Sequence, residues 1–573
     1  MKQIKTFVLT ATIVQTVQFV LLLKWVSVGK SAIYGTNDDS LISSISSGQL
    51  TGNPDPHLIF IQPLISYPII WLETLLRNYS GYSVFLILVS TFSFTLILAL
   101  IISTKKLNTI NFTFWFSSNL IFQSWFSLNP SYTGASLFAA GAAAGFILTL
   151  FQSNLDITEG HRKFLWVISS LLTILCFGIR KEGIYILLIL VVPIILHNFK
   201  DQIRDANTIK FFFFPIIVLL TFNGLISNTL YKNVEWKEFN KMNNLRHQIQ
   251  LRSPEVKILE KIDELGWSKD TYVMFTRFSL LDKDQMNSAE MQQILDLTDD
   301  FVGPKSLLNS NFANIPITIK EAFNPWTWIL TYILVIMILH SLSSYFQSNL
   351  RAFLLLNGTL ILSIMLLLVV LASGYQIPER ISLNLLAGIS LALITTTLNR
   401  NIINKRLPTI INLVLIILVL AISGKTLTRF ALELEAREGF YKTRQVYALQ
   451  QSNSLSEQGS QIVMSNASGL KSHWRYPYQS WDSFDSRNKT IILGWQNLSP
   501  ISRKQFINQG LNLDEFPKGF IDSRILWVDS PESIEGTAKF LAQYSNLKIG
   551  INDMGPVGND EYHYYQFVES ENL

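Results

Sequence analysis

The chain of 573 residues carries 46 lysines and arginines against 41 aspartates and glutamates, which gives a net charge of +5. Hydrophobic residues make up 49% of the chain and charged residues only 15%, and the mean hydropathy is +0.29. This composition excludes an ordinary soluble enzyme and predicts a polytopic α-helical membrane protein. The small excess of positive charge is accounted for by the loops and gives no reason to expect nucleic-acid binding.

Apolar runs of the length needed to cross a membrane recur along the chain, since about 30 Å of hydrocarbon requires roughly 20 residues of helix. From these runs we predict about eleven spans. The runs begin near Phe7, Ser83, Ile110, Ala135, Phe164, Ile184, Phe211, Trp326, Ala352, Ile381 and Thr409. The first run follows two lysines and has no small-residue cleavage site, so we expect it to be retained as the first span.

Lysines and arginines accumulate in alternate connections, which the positive-inside rule assigns to the cytoplasm. These residues are Lys2, Lys5, Lys105, Lys106, Arg162, Lys163, Lys200, Arg204, Lys210, Arg351, Arg400, Lys405 and Arg406. The external side then receives the loops 30–82 and 231–320 and the tail 427–573. We therefore expect a transmembrane domain of residues 1–426 with a cytoplasmic N-terminus, and an extracytoplasmic C-terminal domain of residues 427–573.

The tail alternates short β-rich runs with helical or loop segments, a pattern typical of a small α/β domain. The β-rich runs begin at Gln461, Thr490, Arg524 and Lys548. The tail contains no Gly-rich phosphate loop, and His473 and His563 are too far apart in sequence for a local metal motif.

Two adjacent carboxylates, Asp38 and Asp39, follow the first span in a polar loop on the predicted external side. Carboxylates near a bilayer are costly unless they are paired, solvated or used, so the pair is a candidate functional site. One carboxylate would deprotonate an acceptor hydroxyl or hold a divalent cation, with the other in support. The alternative is that the run 37–40 only caps a helix beginning near Leu41, and residue spacing alone weights the two interpretations equally.

Arg180, Lys181 and Glu182 lie between two apolar runs on the external side, where the positive-inside bias would not place cations. A lipid-linked phosphate at the outer interface would compensate these cations, because an arginine matches phosphate oxygens with two parallel hydrogen bonds. The alternative is an Arg–Glu pair that closes a tight turn between two helices.

Further external cations are weaker candidates for the same site: Arg246 with its neighbour His247, Arg380 at the mouth of a later span, and His57 in the first loop. A solvated surface is the commoner explanation for each of them taken alone. Their value lies in sharing the external side with the acidic pair, as a site for a charged lipid donor requires.

The acidic pair in an external first loop, the many spans and the external α/β tail together resemble the GT-C superfamily of polyprenyl-phosphate-sugar-dependent glycosyltransferases. The stretch from Asn37 to His57, the run Gly178-Ile-Arg-Lys-Glu-Gly183 and the run Gly494-Trp-Gln-Asn-Leu-Ser-Pro500 also resemble a bacterial group of this type. The architectural resemblance covers nearly the whole chain. The acidic motif is short, and its position is more informative than its residues.

The resemblance implies an enzyme of the bacterial plasma (inner) membrane that moves a hexosyl or pentosyl unit from a polyprenyl-phosphate donor to a glycan, lipid or protein acceptor outside the cell. It implies that Asp38 or Asp39 is the catalytic base, and that Arg180 binds the donor phosphate. A divalent cation held by one of the two aspartates remains an alternative. Weaker candidates for binding the donor phosphate are Lys181, Arg246 and Arg380. Glu182 and His57 are expected to support the site.

The alternative function is that of a non-hydrolytic polysaccharide polymerase or a flippase-like transporter in cell-surface glycan assembly. A transporter is expected to carry ionisable or Gly/Pro-broken segments near the bilayer midplane, whereas these spans are nearly free of charge. An interaction protein whose tail binds a partner is a third interpretation, which leaves Arg180 and the acidic pair without a shared role.

Residues 58–76 are apolar but are interrupted by Pro63 and Pro68, so we expect short amphipathic helices at the membrane surface and not a full span. We further expect Asp38 and Asp39 to lie at the mouth of a cavity between spans, with Arg180 reaching the same cavity.

Overall fold

The computed structural model describes residues 2–28, 32–151 with gaps at 35, 78, 105–106 and 108, 157–191, 209–252, 261–276, 286–302 and 379–396. It also describes scattered positions from 413 to 435, then 462–466, 478, 490–556 with gaps at 512 and 514–517, and 562–569. The spans expected near Trp326 and Ala352 lie outside the described residues, as does most of the span expected near Thr409.

Helices dominate the described part of the chain before the tail. The first seven are α1 (Lys2–Val28), α2 (Asn37–Ser46), α3 (Pro63–Leu75), α4 (Gly81–Ser103), α5 (Thr109–Leu128), α6 (Tyr132–Leu150) and α7 (Glu159–Ile179). A π-helical turn, Ile209–Phe213, leads into α8 (Phe214–Leu230), and α9 (Val234–Arg252), α10 (Lys269–Thr276), α11 (Ser288–Val302) and α12 (Glu379–Thr396) follow.

The protein is an integral membrane protein, because several of these helices are long and apolar enough to cross a bilayer. Such segments among the described residues are Lys2–Leu21, Gly81–Ser103, Tyr132–Leu150, Glu159–Ile179 and Lys210–Leu230. They confirm, in length and composition, the runs predicted near Phe7, Ser83, Ala135, Phe164 and Phe211. Helices α5 and α12 cover the runs near Ile110 and Ile381 with less apolar sequences, and the predicted total of about eleven spans is not confirmed.

Helix α6 lies in the interior of the bundle, where all of its residues are buried. Its alanines and glycines allow α12 to approach closely: a Cβ atom on Gly141 would lie only 2.3 Å from the carbonyl oxygen of Gly388. Small residues are the usual means of close helix packing in membranes. Close packing of this kind fixes the position of α6, whose N-terminus faces the first loop.

One end of the bundle carries the first loop. The backbone N–H of Ile33 donates to the carbonyl oxygen of Leu128 at the end of α5, at 2.9 Å, and that of Gln62 donates to Gly178 at the end of α7, at 2.8 Å. At the start of α7, the backbone N–H of Thr158 instead donates to the side chain of Gln3 in α1, at 3.3 Å. The first loop and the N-terminus therefore lie at opposite ends of the bundle.

Residues 58–76 do not form a full-length span, as expected. Helix α3 has 13 residues, begins at Pro63 and contains Pro68 in its interior, so it is too short to cross the hydrocarbon layer. Its Glu73 side chain accepts from the hydroxyl of Ser46 at 2.9 Å and from the backbone N–H of Tyr82 at 3.0 Å. These bonds tie α3 to α2 and to the start of α4.

The C-terminal region forms a mixed five-stranded sheet in the order β2-β1-β3-β5-β4. Strands β1 (Ile462–Asn466), β2 (Thr490–Leu493) and β3 (Ile525–Asp529) are parallel, whereas β4 (Ile549–Pro556) and β5 (His563–Glu569) pair antiparallel. Helices α13 (Pro500–Asn508) and α14 (Pro531–Ser545) connect them. The first four strands confirm the predicted runs, and β5 is missing from the prediction although tyrosine, phenylalanine and valine are typical strand residues.

The C-terminal region packs on the end of the bundle that carries the first loop. The buried Tyr478 donates its hydroxyl to the carbonyl oxygen of Ser127 at 2.7 Å, and its own carbonyl oxygen accepts from the backbone N–H of Ser80 at 3.3 Å. A second contact joins the hydroxyls of Thr271 in α10 and Tyr544 in α14, which lie 2.6 Å apart. Residues of the tail therefore meet residues of the first loop.

Candidate active site

The acidic pair lies in the first turn of α2. Thr36 has extended backbone angles, and its hydroxyl accepts from the backbone N–H of Asp39 at 3.1 Å, which is the usual N-cap bond. The helix therefore begins at Asn37 and not near Leu41, and the cap is a threonine and neither aspartate. Carboxylates in a first turn are stabilised by the helix dipole, so the local sequence favours this placement of both aspartates.

Asp39 is completely buried and accepts hydrogen bonds from three elements. Its Oδ1 accepts from the hydroxyl of Tyr82 in α4 at 2.6 Å and from the backbone N–H of Tyr132 in α6 at 2.8 Å. Its Oδ2 accepts from the hydroxyl of Thr36 at 2.8 Å. Tyr132 is the first residue of α6, where backbone N–H groups have no partner inside the helix.

Burial raises the pKa of Asp39 to about 7, the three hydrogen bonds limit that rise, and the charge of Asp38 adds to it. The carboxyl group joins α2, α4 and α6 at one point. Since both of its oxygens are engaged and none of its surface is exposed, it does not reach a substrate in this structure.

Asp38 has different surroundings. It is only partly buried, and its Oδ1 accepts from the indole N–H of Trp495, which follows strand β2, at 3.1 Å. Successive residues of a helix point in different directions, which explains why adjacent carboxylates enter different environments. Asp38 is the member of the pair that is open to a substrate.

Arg180 follows the last residue of α7 and lies beside the start of α6. Its guanidinium is 5.2 Å from the ring centre of Tyr132, and it donates to the hydroxyl of Thr133. Its Nε is 3.4 Å from a carboxylate oxygen of Glu182, with the two side chains 29% and 48% exposed. The Arg–Glu pair proposed as the alternative is thus present, but solvent weakens an ion pair that is this exposed.

Arg246 in α9 is buried and lies over the ring of Trp495, with its Cζ 5.6 Å from the ring centre. Burial lowers the pKa of its guanidinium to about 10, and the charge of Asp38 opposes that change. The next residue is His247; partial burial of its ring and the charges of Arg246 and Arg180 lower its pKa, while the charges of Glu182 and Asp38 oppose that change. Asp38, Arg180 and Arg246 therefore all act electrostatically on His247, and Asp38 also acts on Arg246.

Aromatic rings connect the part of the site around Arg180 with the part around Asp38 and Arg246. The ring of Phe60 is parallel to that of Tyr132, with ring centres 5.8 Å apart, and lies 5.0 Å from that of Trp495. Tyr132 and Trp495 are the two rings that carry Arg180 and Arg246. The expectation that Arg180 and the acidic pair line one cavity remains a prediction, which this arrangement supports.

Lys181, Arg380 and His57 are the remaining predicted site residues. Lys181 is exposed beside Arg180, and Arg380 is in the first turn of α12, with its side chain outside what the structure describes. His57 pairs with Asp55 at 2.5 Å, stacks on Trp236 with ring centres 4.5 Å apart, and contacts the carbonyl oxygen of Leu230. It anchors the first loop to the segment after α8.

The surroundings of Asp38 do not suit a divalent cation. Among the described residues, no three His, Cys, Asp or Glu side chains lie close enough together to hold one. Hard cations prefer several oxygen ligands, whereas Asp38 accepts from an indole N–H and lies near the positive charge of Arg246, which repels a cation. The oxygens of Asp39 are already occupied by hydrogen bonds.

Sequence reasoning did not assign roles to Tyr82, Tyr132, Phe60 and Trp495. Tyr132 follows the turn at Asn129-Pro130, and Trp495 lies in one of the runs that resemble a known family. Both residues therefore lie next to a feature that the sequence shows. Their roles depend on which residues meet in space, and single-sequence patterns do not contain that information.

No protein-family model matches the chain, and no curated protein matches its sequence. The chain is similar to the crystal structure of ArnT from Cupriavidus metallidurans bound to undecaprenyl phosphate, with 11% identity over 98% of this chain and 97% of that chain, and a TM-score of 0.38. It is also similar to ArnT from the same organism in the apo state, with 11% identity over 96% and 97% of the two chains and a TM-score of 0.33. ArnT is a glycosyltransferase of the GT-C kind. At this identity and TM-score the likeness carries no conclusion about activity or substrate.

Proposed function

We propose that this protein is a GT-C type glycosyltransferase that transfers a hexosyl or pentosyl unit from a polyprenyl-phosphate donor to an acceptor hydroxyl on the outer side of the bacterial plasma membrane. One observation carries the proposal: the partly exposed carboxylate of Asp38 contacts Trp495, whose ring carries Arg246, and the rings of Phe60 and Tyr132 lead from Trp495 to Arg180. A base and a set of phosphate-binding cations are the groups that this reaction needs.

The arrangement of the two arginines favours binding of an anion. An aromatic face attracts a guanidinium without neutralising its charge, and both arginines lie on such a face. Glu182 is the acidic partner of Arg180, and its exposure leaves most of the arginine's charge available. A phosphate that contacts both arginines would make favourable charge-assisted hydrogen bonds to each.

The position of the site supports a reaction outside the cell. The site lies at the starts of α4 and α6 and the end of α7, whereas Arg162, Lys163 and Lys210 lie at the opposite ends of their helices. Those cations belong to the set that the positive-inside rule assigns to the cytoplasm. The N-terminus is then cytoplasmic and the C-terminal sheet extracytoplasmic.

The proposed reaction is a single displacement at the anomeric carbon. Asp38 takes the proton of the acceptor hydroxyl while the acceptor oxygen forms its bond to the anomeric carbon. The bond from that carbon to the phosphate oxygen breaks, and polyprenyl phosphate leaves with the electron pair. Arg180 and Arg246 stabilise the negative charge that develops on the departing phosphate.

Asp39 contributes through position and not through chemistry. Its hydrogen bonds to Tyr82 and to the backbone of Tyr132 hold the start of α2 against α4 and α6. This contact sets the direction in which Asp38 leaves the helix. The reaction has no step through a metal ion, because the groups around Asp38 do not suit one, and it requires no nucleotide. Lys181, Arg380 and Glu182 would modulate the charge near the donor phosphate, and His57 would support the loop.

The experiment uses purified protein in lipid nanodiscs with radiolabelled polyprenyl-phosphate hexose or pentose, and bacterial envelope extract as the source of acceptors. We expect release of polyprenyl phosphate that depends on the extract and falls about 10²- to 10⁴-fold in Asp38→Asn. Glu532→Gln, which neutralises an exposed carboxylate of α14, is the matched control and should react like wild type.

Equal release by wild type and Asp38→Asn would contradict the proposal, as would the absence of release with every donor. Movement of the intact donor across a vesicle bilayer, without sugar transfer, would instead support the flippase-like alternative. Formation of long repeating products from one lipid-linked unit would support the polymerase.

A further inference from the structure

The described part of the C-terminal region contributes Trp495 to the candidate active site. This residue lies directly after β2 in a turn that its neighbours hold firmly: the Asn497 side chain accepts from the backbone N–H of Gly494 at 3.1 Å. The hydroxyl of Ser499 caps α13, which begins at the next residue. A turn fixed between a strand and a helix presents its side chain in one direction, and the Trp495 ring is only 8% exposed.

Trp495 makes two contacts of different chemistry. The edge of the indole donates its N–H to the carboxylate of Asp38 at 3.1 Å, while its face carries the guanidinium of Arg246 at 5.6 Å. The rings of Phe60 and Phe239 lie 5.0 Å and 6.4 Å from it. One side chain therefore touches both the proposed base and a proposed phosphate-binding cation.

These two contacts would act differently on the reaction. A partly exposed carboxylate can rotate about its side-chain bonds, and a fixed N–H donor selects one orientation of its oxygens. Misplacement of a catalytic group by about 1 Å can reduce a rate about 10²-fold. The contact between the ring and Arg246 holds that cation in place and leaves its charge for the donor.

We infer that Trp495 is a positioning residue of the proposed glycosyltransferase, which orients Asp38 through its N–H and Arg246 through its ring. The inference rests on the proposed function of Asp38. It also assigns a role to the C-terminal region: by docking on the first loop, that region completes the active site. The two roles are separable, because phenylalanine retains an aromatic ring and lacks the donor.

The test compares Trp495→Phe and Trp495→Ala in the nanodisc assay. For Trp495→Phe we expect kcat to fall about 10- to 100-fold, with the KM for the donor nearly unchanged. For Trp495→Ala we expect the same fall in kcat together with a higher donor KM. Binding of polyprenyl phosphate, followed by native mass spectrometry, should be retained in Trp495→Phe and weakened in Trp495→Ala.

Two controls separate positioning from folding. Trp527→Phe makes the same substitution at a buried residue of β3 whose indole nitrogen has no hydrogen-bond partner among the described residues, and it should retain wild-type kcat. In an Asp38→Asn background, Trp495→Phe should cause no further loss, because a residue that acts through Asp38 has nothing left to orient.

The outcomes distinguish this inference from the proposed function. If Asp38→Asn is inactive while Trp495→Phe is fully active, the inference about Trp495 is wrong and the proposed function stands. An additional loss from Trp495→Phe in the Asp38→Asn background would also overturn it, as would a loss in Trp527→Phe as large as that in Trp495→Phe. If Asp38→Asn is as active as wild type, both the proposed function and the inference fail.

Discussion

Asp38 and Asp39 are adjacent and chemically identical, but the structure places them in different surroundings. Asp39 lies where α2 meets α4 and α6, has no exposed surface, and accepts three hydrogen bonds. Asp38 lies where α2 meets the C-terminal region, is partly exposed, and contacts a tryptophan. Under the proposed function the acidic pair divides its work: the carboxylate enclosed by the bundle organises the site, and the one at its edge carries out the chemistry.

The largest effect that would test this division is on activity. Asp38→Asn should reduce sugar transfer about 10²- to 10⁴-fold, because it removes the base. Asp39→Asn should weaken transfer much less, because the amide oxygen can still accept from Tyr82 and Tyr132 while its nitrogen donates to Thr36. Transfer per inserted protein in nanodiscs measures both. A complete loss in Asp39→Asn with full activity in Asp38→Asn would exchange the two roles, and full activity in both would refute them.

The second effect is on stability, where a substitution of Asp39 should matter more than one of Asp38. Asp39→Ala leaves the hydroxyl of Tyr82 and the backbone N–H of Tyr132 without their acceptor, and each unsatisfied buried donor costs about 1–3 kcal/mol. Asp38→Ala removes a partly exposed group and should change stability little. Thermal unfolding in detergent, at one scan rate for all variants, measures the difference. Equal midpoints for Asp39→Ala and Asp38→Ala would show that the buried contacts do not organise the fold.

A third effect depends on pH. Because burial raises the pKa of Asp39 from 3.8 to about 7, the native state keeps a proton that the unfolded state releases between these values. The stability from this group is complete below about pH 4 and is lost as the pH rises to about 7. The midpoint of wild type minus that of Asp39→Asn should therefore fall over this window and level off above it. A difference that rises with pH would show that Asp39 is ionised in the native state.

The smallest expected effect is on donor binding by the two arginines of the site. Arg180→Lys and Arg246→Lys keep the charge but lose the two-pronged donor geometry, so each should raise the donor KM roughly ten-fold. Lys539→Gln, which neutralises an exposed cation of α14, is the control and should change KM little. A photoreactive polyprenyl-phosphate analogue should label Arg180→Ala more weakly than wild type. Equal labelling would place the donor phosphate elsewhere, with Arg380 the next candidate.

The sequence by itself determined the membrane class, the position of several long helices, four strands of the tail and the location of the acidic pair. These features depend on the local composition of short segments, such as the apolar run of α4 or the cap and first turn of α2. Strand β5 was missed although its tyrosine, phenylalanine and valine residues are typical of strands.

Tertiary structure alone decided which aspartate is buried and which is open. Asp39 meets Tyr82 and Tyr132 across 43 and 93 positions of sequence, and Asp38 meets Trp495 across 457. No local pattern distinguishes two neighbouring aspartates, because their difference arises from the direction in which a helix turns each side chain and from the elements packed there. For the same reason the two arginines could be named from the sequence, whereas the aromatic rings that hold them could not.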